Sequence, residues 1–227
     1  MSIYQIAAFE SKTMGPITVH RGWDEATREQ VHRHAFDPGI VASLGEKDQN
    51  RFAPGSSIGD RTAYTAWQAG NLAGLFWVGP KSFPSDHFPE SPSQPPYTVA
   101  WRTAYQTPEG ATYEGQGIGR ALGRIGLANF AELTKDGGPD NLPPLAEAGA
   151  WLDTGVTNTA GQGLYHHLAN TERGQVPLGF VDAGVYTPPI EPGKSPEEPR
   201  VGMVIEPATL DEVIRLGNTM ITHHHAA

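Results

Sequence analysis

The sequence contains no cysteine. That excludes a disulfide framework, a thiolate-ligated metal and a cysteine nucleophile, and leaves hydroxyls, imidazoles, carboxylates or a bound co-substrate for any chemistry. No apolar run approaches the ~18 residues of a membrane span, and the opening MSIYQIAAFESK lacks a basic start followed by an apolar block. A soluble, cytoplasmic chain with no membrane partner is expected. Basic residues are also few, 16 Lys and Arg against 25 Asp and Glu, for a formal net charge of −9. This balance argues against nucleic acid and weakly favours a cationic partner. His32 and His34 are two apart, His166 and His167 are adjacent, and His223, His224 and His225 sit at a terminus. None of these has helical metal-ligand spacing, so no metal is expected.

Glycine and proline are abundant, 27 and 20 of 227 residues, which predicts short elements joined by many turns. Ile17 to Trp23 reads as a strand, and Asp24 stands where a helix N-cap would, before EATREQVHRHAF. TAYTAWQ from Thr62, a turn at Ala69-Gly70-Asn71 and then LAGLFWV read as a hairpin whose second strand is covered on both faces. Gly79 to Pro96 is too proline-rich for a tight turn and reads as a surface loop. Tyr97, Val99, Trp101 and Thr103 alternate with Thr98, Ala100 and Arg102, the period of a strand. Further on, WLDTGVT reads as a strand, Thr159 to about Glu172 as a helix, and Leu178 to Tyr186 and Val201 to Ile205 as strands. Thr209-Leu210-Asp211-Glu212 fits a capping box at the start of a last helix.

The chemistry concentrates after the strand ending at Thr103. The chain reads Glu114-Gly115-Gln116-Gly117-Ile118-Gly119-Arg120-Ala121-Leu122 and continues as a helix, with Ile118, Leu122 and Ile125 on one face. Glycines let a backbone approach a ligand closely, and a first helical turn points unsatisfied N–H groups outward with the positive end of the helix dipole behind them. This is a recipe for holding phosphate. A dinucleotide fingerprint would need glycine at Leu122, and a P-loop would need lysine then serine or threonine after Gly119; neither is present. Arg120 and Arg124, four apart, can face solvent or phosphate.

Asn158 and Tyr165 are seven apart, nearly two helical turns, so both would project from one face of a helix starting at Asn158. At this point the sequence resembles the GNAT superfamily of N-acetyltransferases. The family's acetyl-CoA signature is glutamine or arginine, two residues, glycine, one residue, then glycine or alanine; Glu114 through Gly119 occupy those places, with Glu114 departing from the first. A second family pattern, Asn-x-x-Ala-x-x-Leu-Tyr followed by Gly-Phe, is matched by Asn158 through Tyr165 and Gly179-Phe180, with alanine one place early at Ala160 or replaced by Gly161. The resemblance runs from about Ile17 to Tyr186.

It implies an α/β (α+β) fold, one domain over 1–227 with a core at about 17–186 and a C-terminal extension 187–227. A mixed, mostly antiparallel, twisted sheet of about seven strands would be flanked by helices. It also implies that the backbones of Trp101 and Thr103 pair with pantetheine and that the turn of Gln116, Gly117, Ile118, Gly119 and Arg120 holds the diphosphate of acetyl-CoA. Asn158 would also touch this co-substrate. An amine-bearing small molecule or peptide would attack the thioester directly, and Tyr165 would protonate the departing thiolate, a role that suits a phenol with its ordinary pKa of about 10. Asp86, His87 and Glu90 lie in the proline-rich loop, and none is assigned as the base. A homodimer is the family habit. The other readings are a catalytically degenerate GNAT-like CoA-binding or regulatory module, motivated by Glu114, and a nucleotide-binding protein using the same turn.

Overall fold

The computed structural model describes residues 3–27, 29, 61–103, 113–169, 179–189 and 198–221. Most of the helix expected after Asp24, His32 and His34, the Thr107–Gly110 loop, the helix end beyond residue 169, and the three terminal histidines lie outside them. Eight strands form one sheet: β1 (Tyr4–Glu10), β2 (Pro16–Arg21), β3 (Thr62–Gln68), β4 (Asn71–Pro80), β5 (Tyr97–Thr103), β6 (Ala150–Gly155), β7 (Val181–Tyr186) and β8 (Arg200–Ile205). Their order is β1-β2-β3-β4-β5-β6-β8-β7. β1 pairs antiparallel with β2, β2 with β3, and β8 with both β6 and β7, whereas β5 and β6 are parallel with Thr98 opposite Trp151. The helices are α1 (Ile118–Leu133), α2 (Leu145–Ala148), α3 (Thr159–His166) and α4 (Pro207–Asn218), with a 3-10 turn at Pro139–Asn141.

The chain forms two compact units, one of Met1–Trp77, Trp101–Gly126 and Met220–Ala227, the other of Val78–Ala100 and Leu127–Thr219. In the first, the expected hairpin turn forms at Ala69 and Gly70, both with positive φ. Ile118, Leu122 and Ile125 are buried with Phe76 and Tyr64, so the helix face read from the sequence is a core face. Asp24 does cap: its Oδ1 accepts from the Thr27 amide at 2.7 Å, and this bond holds its carboxyl below the usual range. β1 was not foreseen, and it brings the strands to eight. Its Ala7 is buried and bridges Ile221.

In the second unit the proline-rich loop is anchored by Phe83 and Phe88, which pack with Trp151, Ala183 and Val204. A Cβ at Gly202 would meet the Phe88 ring at 2.6 Å, so a glycine in β8 admits the loop to the sheet. Tyr97 donates to the Pro143 carbonyl at 2.7 Å, and burial pushes its pKa up. Two boundaries differ from expectation. α4 starts at Pro207 after Glu206, with no side-chain cap, so Thr209 lies inside the first turn and is not the N-cap. Proline at the first helical position has no N–H to satisfy and a φ already suited to the helix, which moves the start earlier. α3 ends at His166, followed by a turn at 167–169.

Candidate functional site

In the first unit the turn between β5 and α1 depends on two glycines. Gly115 has φ +72 and Gly117 φ +81, and a Cβ at either would meet nothing within 4 Å among the described residues. Both positions favour glycine for their conformation, and among the described residues nothing covers the Cβ side of either. The first intrahelical bond is Ala121 N to Gly117 O at 3.0 Å. Helix geometry therefore leaves the amides of Ile118, Gly119 and Arg120 outside the i to i−4 ladder, directed out of the N-terminus. The Gln116 amide makes a long 3.4 Å bond to the Tyr113 carbonyl. Glu114 is exposed at the start of the turn.

This N-terminus is fixed to the sheet by Trp101. Its indole Nε1 donates to the Gly119 carbonyl at 3.0 Å, and its ring lies 4.7 Å from Phe76, centroid to centroid. Gly123 and Gly126 make the approach possible, because a Cβ at Gly123 would come within 2.5 Å of the Trp101 ring and one at Gly126 would collide with Phe76. Beyond the backbone role that the resemblance implies for Trp101, its side chain positions the turn. A second anchor comes from the β1–β2 turn. Gln116 Oε1 accepts from the Thr13 amide at 3.1 Å and from Thr13 Oγ1 at 3.0 Å.

In the second unit, β6 leads into α3 through Asn158. Its Oδ1 accepts from the Gly161 amide at 3.0 Å and its Nδ2 donates to the buried Thr154 Oγ1 at 2.8 Å. Asn158 is thus the helix N-cap, exposed and outside the helix proper, while Tyr165 is buried at 8% exposure. The expectation that the two project from one helical face does not hold, because a cap residue lacks helical φ and ψ. The same geometry explains Gly161: a Cβ there would collide with the Asn158 amide. Glu198 steadies the turn, accepting from the Thr157 amide and hydroxyl at 2.6 Å each, and these bonds hold its carboxyl below the usual range.

Tyr165 is brought together with the Gly-Phe pair. The Phe180 amide donates to the Tyr165 carbonyl at 3.0 Å, the two rings meet edge to face at 6.4 Å, and a Cβ at Gly179 would strike the Tyr165 and His166 carbonyls. The chain after Gly179 therefore occupies the C-terminal end of α3. His166 Nε2 pairs with Asp182 Oδ1 at 2.9 Å. Asp86, His87 and Glu90 are exposed, and His87 stacks on Tyr186 with ring centroids 3.8 Å apart.

Solved structures share this architecture. An uncharacterized protein of Bacillus halodurans is 9% identical, with 95% of this chain and 97% of that one covered at a TM-score of 0.53. RimJ of Mycobacterium smegmatis, solved in complex with CoA-disulfide, is 10% identical, with 95% and 94% covered at 0.51. A chimeric spermidine N-acetyltransferase SpeG from Vibrio cholerae and hSSAT is 17% identical, with 86% and 97% covered at 0.49. No protein-family model and no curated protein matches the sequence. The first two structures show the fold: the chain shares with them a mixed, mostly antiparallel sheet flanked by helices, the architecture expected from the sequence.

Proposed function

We propose that the chain is an acetyl-CoA-dependent N-acyltransferase that moves an acetyl group to a primary amine. The observation that carries this reading is the open, positive-φ turn of Gly115 and Gly117 at the N-terminus of α1. Neutral amides at a helix N-terminus, with no Cβ to fence off approach, suit the oxygens of a diphosphate. RimJ, of the same fold, was solved with CoA-disulfide, which supports the co-substrate class.

When bound, acetyl-CoA supplies an activated thioester carbonyl. The amides of Gly117, Ile118, Gly119 and Arg120 bind its diphosphate, that of Gln116 contributing less because it already bonds Tyr113, and the backbones of Trp101 and Thr103 bind pantetheine. Asn158 keeps one amide hydrogen and one lone pair beyond its capping bonds for a further contact. The acceptor amine would attack the thioester carbonyl directly, its C–N bond forming as the C–S bond breaks and its proton passing to water, while the Tyr165 hydroxyl, its ring held by Phe180, would give a proton to the departing thiolate. The net charge of −9 favours a cationic amine as acceptor.

Thermal unfolding with acetyl-CoA, against ATP and NAD as controls, tests the co-substrate. A ligand at a hundredfold excess over Kd adds about 2.7 kcal/mol to the folded state, so the midpoint should rise with acetyl-CoA alone. Tyr165→Phe tests the acid: kcat should fall about a hundredfold or more with acetyl-CoA affinity held within about twofold. An unchanged kcat removes Tyr165 from the mechanism.

A further inference from the structure

The turn between β1 and β2 is internally fixed. The Ser11 amide and hydroxyl both donate to the Gly15 carbonyl, at 3.1 and 3.0 Å, and the Met14 amide donates to Ser11 Oγ at 2.8 Å. Gln68 Nε2 ties the turn to β3 through the Met14 carbonyl at 2.9 Å, and the Tyr113 hydroxyl reaches Gln68 Oε1 at 3.5 Å. The crest of this turn presents the Thr13 amide and hydroxyl to one atom of Gln116, 103 residues further along the chain. A backbone N–H can only donate, so the Gln116 atom facing Thr13 is the carboxamide oxygen. Nε2, on the same carbon, is turned away from Thr13 with two hydrogens, and among the described residues no group accepts from it. Gln116 stands between Gly115 and Gly117, at each of which an added Cβ would meet nothing within 4 Å among the described residues.

We propose that Thr13 is a positioning residue that orients the Gln116 carboxamide so that Nε2 donates to the diphosphate of the CoA-type co-substrate. The proposal rests on the reading that the glycine turn takes a diphosphate, and adds to it a side-chain donor oriented by a remote hairpin. The chain has no lysine in this turn, and a neutral amide is the side-chain donor that Gln116 brings to it.

Two substitutions separate donating to the ligand from merely bracing the turn. Gln116→Glu keeps an oxygen to accept from Thr13 but replaces the amide donor with negative charge; Gln116→Met removes the acceptor and the donor with similar length. The measurement is the dissociation constant for acetyl-CoA by titration calorimetry, with the unfolding midpoint of the ligand-free variants alongside. Under the proposal both variants weaken binding, Gln116→Glu by about tenfold or more and Gln116→Met by about three- to tenfold, while Thr13→Val weakens it about threefold and the ligand-free midpoints stay close to wild type. If Gln116→Glu binds like wild type, the amide donates nothing and the proposal is overturned, with the diphosphate reading intact. If the wild-type chain itself does not bind acetyl-CoA, the underlying reading fails and takes the proposal with it.

Discussion

Gly123→Ala should destabilise the protein although it improves helix propensity. Replacing a mid-helix glycine by alanine ordinarily gains about 1 kcal/mol. At Gly123 the new methyl would sit 2.5 Å from Cζ2, 2.8 Å from Nε1 and 2.9 Å from Cε2 of Trp101, against an optimal carbon separation of about 3.5–4.0 Å. The indole has little room to retreat, because Nε1 is bonded to the Gly119 carbonyl at 3.0 Å and the ring lies on Phe76. Overpacking of this kind costs about 1–3 kcal/mol, and a broken indole bond adds about 1 kcal/mol. After the propensity gain the net loss is about 1–3 kcal/mol, a fall of roughly 3–9 °C in the unfolding midpoint for a chain of this size. A double-mutant cycle with Trp101→Phe isolates the cause, since the smaller ring lacks the bonded nitrogen; the pair should couple by about 1 kcal/mol or more. Urea denaturation of the four proteins measures it. A Gly123→Ala protein at least as stable as wild type, or strictly additive effects, would refute the claim that close packing on Trp101 sets the position of α1.

Asn158→Ala removes a helix cap together with the donor to buried Thr154, and should cost about 1–2 kcal/mol in urea denaturation. Asn158→Asp keeps the cap on Gly161 but cannot donate to Thr154 and should cost about half as much. Glu198 contributes stability with a defined sign in pH. Its folded pKa lies below the ordinary value of 4.5 because the Thr157 hydroxyl and amide donate to it, so the contribution is complete above that value and is lost as pH falls through the folded pKa. The gap in unfolding midpoint between wild type and Glu198→Ala should therefore be present at about pH 7 and close by about pH 3; a gap that persists in acid would point to packing.

Elements whose pattern is local were legible in the sequence. The hairpin from Thr62 to Val78, which in the structure runs two residues further to Pro80 into the stretch expected as loop, the alternation from Tyr97 to Thr103 and the buried face of Ile118, Leu122 and Ile125 each rest on a local pattern, and the structure follows them. β1 was silent because its burial is concentrated at Ala7, and a small residue gives little alternation in YQIAAFE. Asn158 was visible as a residue but not in its orientation, since a seven-residue spacing reports a helical face only when both residues are helical. The pattern of Gly115, Gly117 and Gly119 marks a turn, but nothing local marks Gly123 and Gly126, which serve packing on the Trp101 and Phe76 rings.

The contacts that fix the glycine loop in place are long in sequence and short in space. Trp101 reaches Gly119 across the stretch leading into the turn, and Thr13 reaches Gln116 across most of the first unit. Spacing rules cannot carry either contact, because each depends on which strand lies beside which turn after the sheet has formed. The signature residues named from the sequence supply the amides, and the hairpin and indole that were not named determine where those amides stand. An amide bound to a fixed support loses less entropy on meeting a ligand than one on a free loop. For this reason Trp101 and Thr13, neither of which contributes its side chain to the family signature, should modulate affinity at the proposed diphosphate site, Thr13→Val by the roughly threefold expected above.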